Sequence, residues 1–297
     1  MGLISTPDER FTDLPGFPYE TNYVDVGDPR MAYVDEGRGE ETFLCLHGEP
    51  TWSYLYRKMI PVLSERGRVV APDFLGFGRS DKYDDHEAYS YGMLYDALER
   101  FVTSLDLSNV TLICQDWGGL LGLPLAANHP ERFARLVPMN TGLPDGTERM
   151  PDVWYEFKQM AESAPDLDVG RMVASGCLSD LAEDVRAAYA APFPDESHMA
   201  GVRTLPGLVP RSQAPDLRGG EVIAEARATF ESWEKPVFVL FSDSDPITGP
   251  SRDDLRSLFP TAAEQPDVRI SGAGHFLQED AGEAVAREIV DFVDRTA

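Results

Sequence analysis

Residues Cys114-Gln115-Asp116-Trp117-Gly118-Gly119 set an aspartate at the centre of a short run bounded by small residues. Before it lies the apolar Val110-Thr111-Leu112-Ile113 and after it Leu120-Leu121-Gly122-Leu123. This succession reads as a buried strand, a tight turn and a helix. Turns of this kind present a nucleophile, and their flanks are small because the turn is sharp and its neighbours pack closely. Serine is the commoner residue at such a point. A carboxylate there points instead to attack on an alkyl carbon, giving an ester of the protein itself, where a serine would point to acyl transfer.

Such chemistry needs a base to activate water for a second step, an acid to orient the base, and donors for the charge that develops. His275, in Gly272-Ala273-Gly274-His275 after the strand-like Val268-Arg269-Ile270, is the candidate base. For the acid, Ser242-Asp243-Ser244-Asp245-Pro246 follows the penultimate strand-like run; Asp245 is favoured and Asp243 is its rival. The other loop that could hold an acid, Met139-Asn140-Thr141-Gly142, offers only the uncharged Asn140. His47-Gly48-Glu49-Pro50 can bring a backbone N–H beside the turn, so the amides of Glu49 and Trp117 form the expected oxyanion hole. His47 reads as a hydrogen-bonding residue of that loop. The Glu49 side chain, which would repel a departing anion, is expected to support protonated His275.

Alternating elements must position these groups. Tyr23–Val26 and Met31–Val34 form an opening hairpin pattern, followed by strand-like runs at Thr42–Leu46, Arg68–Ala71, Val110–Cys114 and Arg135–Met139, with helical patterns near Trp52–Ser64 and Tyr91–Leu105. Strands alternating with helices imply a mostly parallel sheet covered on both faces. From about residue 141 to 220 the chain turns proline- and aspartate-rich with no strand pattern, which predicts an inserted helical cap. A helix at Glu221–Trp233, the strand Val237–Phe241 and an amphipathic helix from Ala281 to about Arg295 restore the alternation. The expected organisation is a core from 1–140 and 221–297 with a cap from 141–220.

Several segments together carry a family resemblance. Trp117 beside the aspartate, His47-Gly48-Glu49-Pro50-Thr51-Trp52-Ser53-Tyr54, Asp73-Phe74-Leu75-Gly76-Phe77-Gly78-Arg79-Ser80-Asp81 and Gly272-Ala273-Gly274-His275-Phe276 resemble those of the haloalkane dehalogenases. Ala188-Tyr189-Ala190-Ala191-Pro192-Phe193-Pro194 extends the likeness into the cap. The resemblance implies the α/β-hydrolase fold, with a mostly parallel eight-stranded sheet, helices on both faces and an inserted cap. It also implies hydrolysis of a carbon–halogen bond through an alkyl ester of Asp116, with a halogenated alkane and water as reactants and halide, alcohol and a proton as products. The indole of Trp117 is the implied halide donor. Glutamate at position 49 has no N–H to offer, so the likeness is to the branch whose second donor is a cap tryptophan, here Trp154. Neither a cofactor nor a metal is expected. An epoxide hydrolase is the alternative, with Tyr155 and Tyr189 as candidate proton donors; a ligand receptor without turnover is a more distant one.

Composition narrows the partners. The 297 residues, 42% hydrophobic, suffice for one large α/β core. A formal charge of −25, from 51 acidic and 26 basic residues, argues against nucleic acid and anionic membranes. With four lysines (Lys58, Lys82, Lys158, Lys235), the acidic surface resembles that of proteins from a high-salt cytoplasm and predicts salt-dependent folding. Cys45, Cys114 and Cys177 are odd in number and form no disulfide framework. No apolar run reaches the roughly 18–20 residues of a membrane span, and no signal-peptide pattern opens the chain, so a cytoplasmic monomer or small homo-oligomer is expected. Met1-Gly2-Leu3-Ile4-Ser5-Thr6 fits the loose N-myristoylation pattern by chance, with no basic patch beside it. His86, His129 and His198 lack metal-ligand spacing, and Gly76-Phe77-Gly78 reads as a turn. Phe74, Phe157, Leu208, Val209 and Phe276 are candidate pocket walls.

Overall fold

Two fully buried strands run through the middle of the molecule and end at its chemistry. The structure is a computed structural model and describes residues 2–147, 149–211 and 218–297. Its strands are β1 (Leu3–Ile4), β2 (Asn22–Asp25), β3 (Arg30–Glu36), β4 (Thr42–Leu46), β5 (Arg68–Pro72), β6 (Lys82–Tyr83), β7 (Val110–Gln115), β8 (Phe133–Met139), β9 (Phe241–Ser242) and β10 (Arg269–Ile270). The main sheet has the order β2-β3-β5-β4-β7-β8. Its pairings are antiparallel at β2–β3 and β3–β5 and parallel at β5–β4, β4–β7 and β7–β8. Every residue of β4 and β7 is buried, as continuous apolar runs require when helices cover both faces.

The sheet continues beyond β8. The amides of Phe238 and Leu240 donate to the carbonyls of Leu136 and Pro138 at 2.9 and 3.1 Å, and Leu136 pairs in parallel with Val237. That run leads into β9, which pairs in parallel with β10. With the 237–242 run taken as one strand, eight strands lie side by side, as expected. The remaining two, β1 and β6, form a small antiparallel pair of their own.

The helices are α1 (Ile60–Ser64), α2 (Tyr91–Ser104), α3 (Trp117–Asn128), α4 (Asp152–Ser163), α5 (Val169–Ser175), α6 (Glu183–Ala190), α7 (Ala200–Leu208), α8 (Arg218–Phe230), α9 (Arg252–Leu258) and α10 (Leu277–Arg295). Ser90 caps α2 by accepting from the Met93 amide at 3.1 Å. Helix α3 is buried from Trp117 to Ala127, because it packs on β4, β7 and β8 and is flanked by α2 and α8.

The pattern at Trp52–Ser64 does not form one helix. A 3-10 turn at Ser53–Tyr56 precedes the short α1, because the Asp73 carboxylate takes the Ser53 amide at 2.7 Å and the hydroxyls of Tyr54 and Tyr56 reach out to the carbonyls of Pro15 and Leu46. The C-terminal helix starts earlier than expected, at Leu277, and breaks its helical dihedrals at Ala281. Between Met139 and Phe241 the described residues contain helices and no named strand. Helix α8 begins inside the expected cap limits yet packs on α2 and α3. Residues 148 and 212–217 of that expected segment, and Met1 of the N-terminal pattern, lie outside the described residues.

Buried polar contacts tie the helical segment to the sheet domain. The Trp52 indole donates to the Ala188 carbonyl at 3.2 Å, and the Tyr189 hydroxyl donates to Glu279 at 2.6 Å. Glu279 also receives two hydrogen bonds from Arg57, at 2.6 and 2.7 Å, in an ion pair that is almost wholly buried.

Candidate active site

The turn after β7 is strained, and its neighbours explain why. Asp116 has φ 51° and ψ −120°, outside the regions a non-glycine residue ordinarily occupies, so its side chain is thrown clear of both strand and helix. Its own amide donates to the Asn140 carbonyl at 3.0 Å, and Thr141 Oγ1 donates to its carbonyl at 2.7 Å. Gly118 lets the elbow sit against β4: a Cβ there would lie 2.2 Å from the Leu46 carbonyl oxygen.

Three side chains from distant parts of the sequence meet at this elbow. Nε2 of His275 lies 3.7 Å from Asp116 Oδ2, and Nδ1 lies 3.1 Å from Asp245 Oδ2. Asp245 is held in turn by the amides of Ile247 and Thr248, at 2.8 and 3.3 Å, and by the Thr248 hydroxyl. The rival Asp243 faces solvent and accepts from Gly272, Ser271 and Ser244 in the opposite turn, away from the imidazole. Below the ring, Asn140 Nδ2 donates to the carbonyls of Gly274 and His275 at 2.9 and 3.0 Å. The His275 amide donates to the Gly176 carbonyl at 2.8 Å, so the helical segment braces the loop that carries His275.

Electrostatics follow from these contacts. Burial pushes the Asp116 carboxyl up and the charge of Asp245 adds to it, while His275 and the amides of Trp117 and Glu49 pull it back; the net direction is upward. Burial also opposes the charge of Asp245, but His275 and the hydrogen bonds from Thr248 and Ile247 outweigh it and hold that carboxyl at about 2. His275 loses basicity to burial and regains more from Asp245 and Asp116, so it lies above the ordinary imidazole value. His47 is bonded on both ring nitrogens, to the Gly48 carbonyl and the Phe74 amide, and burial lowers it to about 4. It is a structural residue of its loop.

The Glu49 amide donates to Asp116 Oδ1 at 2.9 Å. Burial, and after it the charge of Asp116, raise the Glu49 carboxyl well above the usual carboxylate range, and the groups that raise His275 are Asp245 and Asp116.

A cavity of about 390 Å³ opens over the elbow, and Glu49, Asp116, Trp117, Trp154 and His275 all line it. Phe157, Val209 and Phe276 are on its wall as expected. Phe74 and Leu208 are not: Phe74 packs on the His47 ring at 4.5 Å, and Leu208 is buried elsewhere in α7. Met172, Gly176, Cys177 and Ile247 are also among the lining residues, and no local pattern in the sequence marked them. Among the described residues, neither the Trp117 nor the Trp154 indole N–H has a protein acceptor. The Trp52 indole, by contrast, is bonded to a carbonyl. Both candidate halide donors thus line a mainly apolar cavity with no protein acceptor for their N–H groups among the described residues.

Residues 41–282 match the model of the α/β hydrolase fold family. A haloalkane dehalogenase of Psychrobacter cryohalolentis is 43% identical over 99% of this chain and 98% of its own length. Haloalkane dehalogenase 1 of Mycobacterium tuberculosis is 45% identical over the whole of both chains. The chain belongs to the haloalkane dehalogenase family. As a member it is a hydrolase of carbon–halide bonds. The crystallised tetrameric dehalogenase of Paraglaciecola agarilytica has a TM-score of 0.89 with this dehalogenase, at 37% identity and 97% coverage of each chain.

The alternative of epoxide opening needs a tyrosine hydroxyl at the cavity. Tyr189 gives its hydroxyl to Glu279, and neither it nor Tyr155 lines the cavity wall.

Proposed function

We propose that this dehalogenase works through an ester of Asp116, with His275 as base, Asp245 as the acid that orients it, and Trp117 and Trp154 as the halide donors. The observation that carries this reading is the convergence of Asp116, Trp117, Trp154 and His275 on one mainly apolar cavity, with Asp245 bonded to the far side of the imidazole. A halogenated alkane sits in the cavity, and Asp116 Oδ2 attacks its halogen-bearing carbon in line with the departing halide. The two indole N–H groups receive that ion, which in a water-poor space is worth far more than in bulk solvent.

Alkylation changes the electrostatics of the site. Oδ1, held by the Glu49 amide, becomes the ester carbonyl oxygen, and the Glu49 and Trp117 amides then bind the oxyanion that forms when water attacks. The ester carries no charge, so His275 loses one of the two carboxylates that raised it. The imidazole becomes less basic when it must take a proton from water and later release it. Water, halide, alcohol and proton balance with no further reactant.

The helical segment 141–220 serves as the cap of this reading, with 1–140 and 221–297 as the core. Its contribution to the site is Trp154 and the apolar wall, while every group that handles a proton belongs to the core.

In a single turnover in labelled water, the label enters the Asp116 carboxylate and the first alcohol formed is unlabelled in that oxygen. His275→Phe traps the alkyl adduct, seen as a mass increase on the peptide that contains Asp116. Label passing directly into alcohol, with no adduct in the variant, defeats the ester.

A further inference from the structure

Gln115 closes β7 immediately before the nucleophile and is fully buried. Its Nε2 stands 3.0 Å from Nε2 of His275 and 3.3 Å from the carbonyl oxygen of the same residue. A carbonyl can only accept, so this second contact decides which end of the amide is nitrogen. The other amide hydrogen then points to His275 Nε2, which can receive it only through a lone pair. On the opposite edge of the ring, Asp245 accepts from Nδ1 at 3.1 Å. Between them the two contacts select one form of the imidazole, with its hydrogen on Nδ1 and its lone pair on Nε2.

We propose that Gln115 is a positioning residue that holds His275 in the neutral tautomer able to take a proton from water, against the carboxylates that favour the charged ring. The proposal rests on the reading of His275 as the base. The charged and titratable groups around the ring come from several elements. Asp245 follows β9 and Asp116 stands at the elbow. Glu49, after β4, lies beside Asp116, and burial raises its carboxyl well above the usual carboxylate range. On the helix that follows His275, Glu279 is engaged by Arg57 and Lys58, and Asp280 by the amides of Gly274, Leu178 and Ser179. Against the two ionised carboxylates near the ring, the amide of Gln115 is a donor that only the neutral form can satisfy.

Protonation of Nε2 sets N–H against N–H. The amide cannot relieve this by turning over without facing its oxygen to the His275 carbonyl, and Oε1 has no protein donor where it lies. The imidazolium formed during ester hydrolysis is thereby kept short-lived, and its proton passes on to solvent. Alkylation of Asp116 uses no proton transfer and is indifferent to this contact.

The test separates the two steps. The parent, Gln115→Glu and Gln115→Leu are reacted with 1-bromobutane in single turnovers from mildly acidic to alkaline pH, following bromide release, the mass of the alkylated chain and its decay. Glutamate replaces the donor by an acceptor and leucine removes it, so both variants raise the base and move the rising limb of adduct decay to higher pH, glutamate further than leucine. Below that limb, decay slows about tenfold for each pH unit of displacement, with the bromide burst unchanged in rate and amplitude. An unmoved limb in both variants overturns the proposal, as does a parallel fall in burst and decay, the mark of a residue that only packs. A full burst in either variant certifies a folded site, so one that fails to fold leaves the other to decide. If His275→Phe forms no adduct with the same bromide, the ester reading fails, which is distinct from an adduct whose decay ignores position 115.

Discussion

The two halves of the cavity are built on opposite principles. On the core side each polar group is held by others: Asp116 by the Glu49 amide, His275 by Asp245 and Gln115, Asp245 by Thr248 and the amide of Ile247. On the helical side the wall is mainly apolar, and its polar members are Glu156, Ser175 and the Trp154 indole, whose N–H has no protein acceptor among the described residues. Fixed dipoles suit steps in which charge appears at known atoms, since they need no rearrangement when it appears. An apolar wall discriminates by fit and tolerates exchange, at about 1–3 kcal/mol for each methylene of a substrate. On the proposed reading the chemistry belongs to the core and the choice of substrate to the helices above it.

Asp245→Asn strikes the core side and carries the largest expected effect. The neutral amide no longer supports the imidazolium, so kcat falls roughly 10²–10⁴-fold, the range of a lost general base. The sign of the pH effect is fixed by the contacts. Asp245 raises His275, so in the parent activity is lost as pH falls through a limb above that of the variant, whose limb lies lower on a reduced plateau. A pH profile of kcat that keeps its limb in the variant would contradict the core half of the comparison.

Trp154→Phe probes the cap side and should cost less. Losing one N–H bond to an anion is worth about 1.5–3 kcal/mol, or roughly 10- to 150-fold in the alkylation step, with adduct decay preserved. Stopped-flow bromide release in single turnover reads the two apart. Equal slowing of both steps would mean that Trp154 only packs the cap.

The smallest effect concerns neither half but the surface around both. With a formal charge of −25, self-repulsion weakens the folded state at low ionic strength, so the melting temperature should rise by several degrees from low to molar potassium chloride. Identical melting curves would remove the idea of salt-dependent folding.

What was legible in the sequence is what short-range sterics dictate. The elbow could be read because Asp116 lies between an apolar strand and two glycines, and His275 because a glycine-rich loop follows a strand. The sequence favours Asp245 but keeps Asp243 as its rival, since both follow the same strand; in the structure Asp243 is engaged by the Gly272 turn and Asp245 meets the imidazole. Gln115 was visible only as a neighbour of the nucleophile, because its partner lies 160 residues away in sequence. The helical pattern at Trp52–Ser64 misled because tyrosine hydroxyls and the Asp73 carboxylate drew that segment into a tighter turn. The cap lining stayed hidden because it is assembled from side chains with no repeating signal.

The carbonyl of Gly176 has a consequence for how such an enzyme can diversify. It receives the His275 amide from above, and a Cβ on Gly176 would lie 2.7 Å from the Phe276 ring. At this one point the roof acts through the direction of a peptide bond and not through a side chain. Lineages that remodel the roof to admit new compounds can exchange its apolar side chains, yet one that reroutes this peptide loses the anchor of the His275 loop with every side chain of the proposed site still in place.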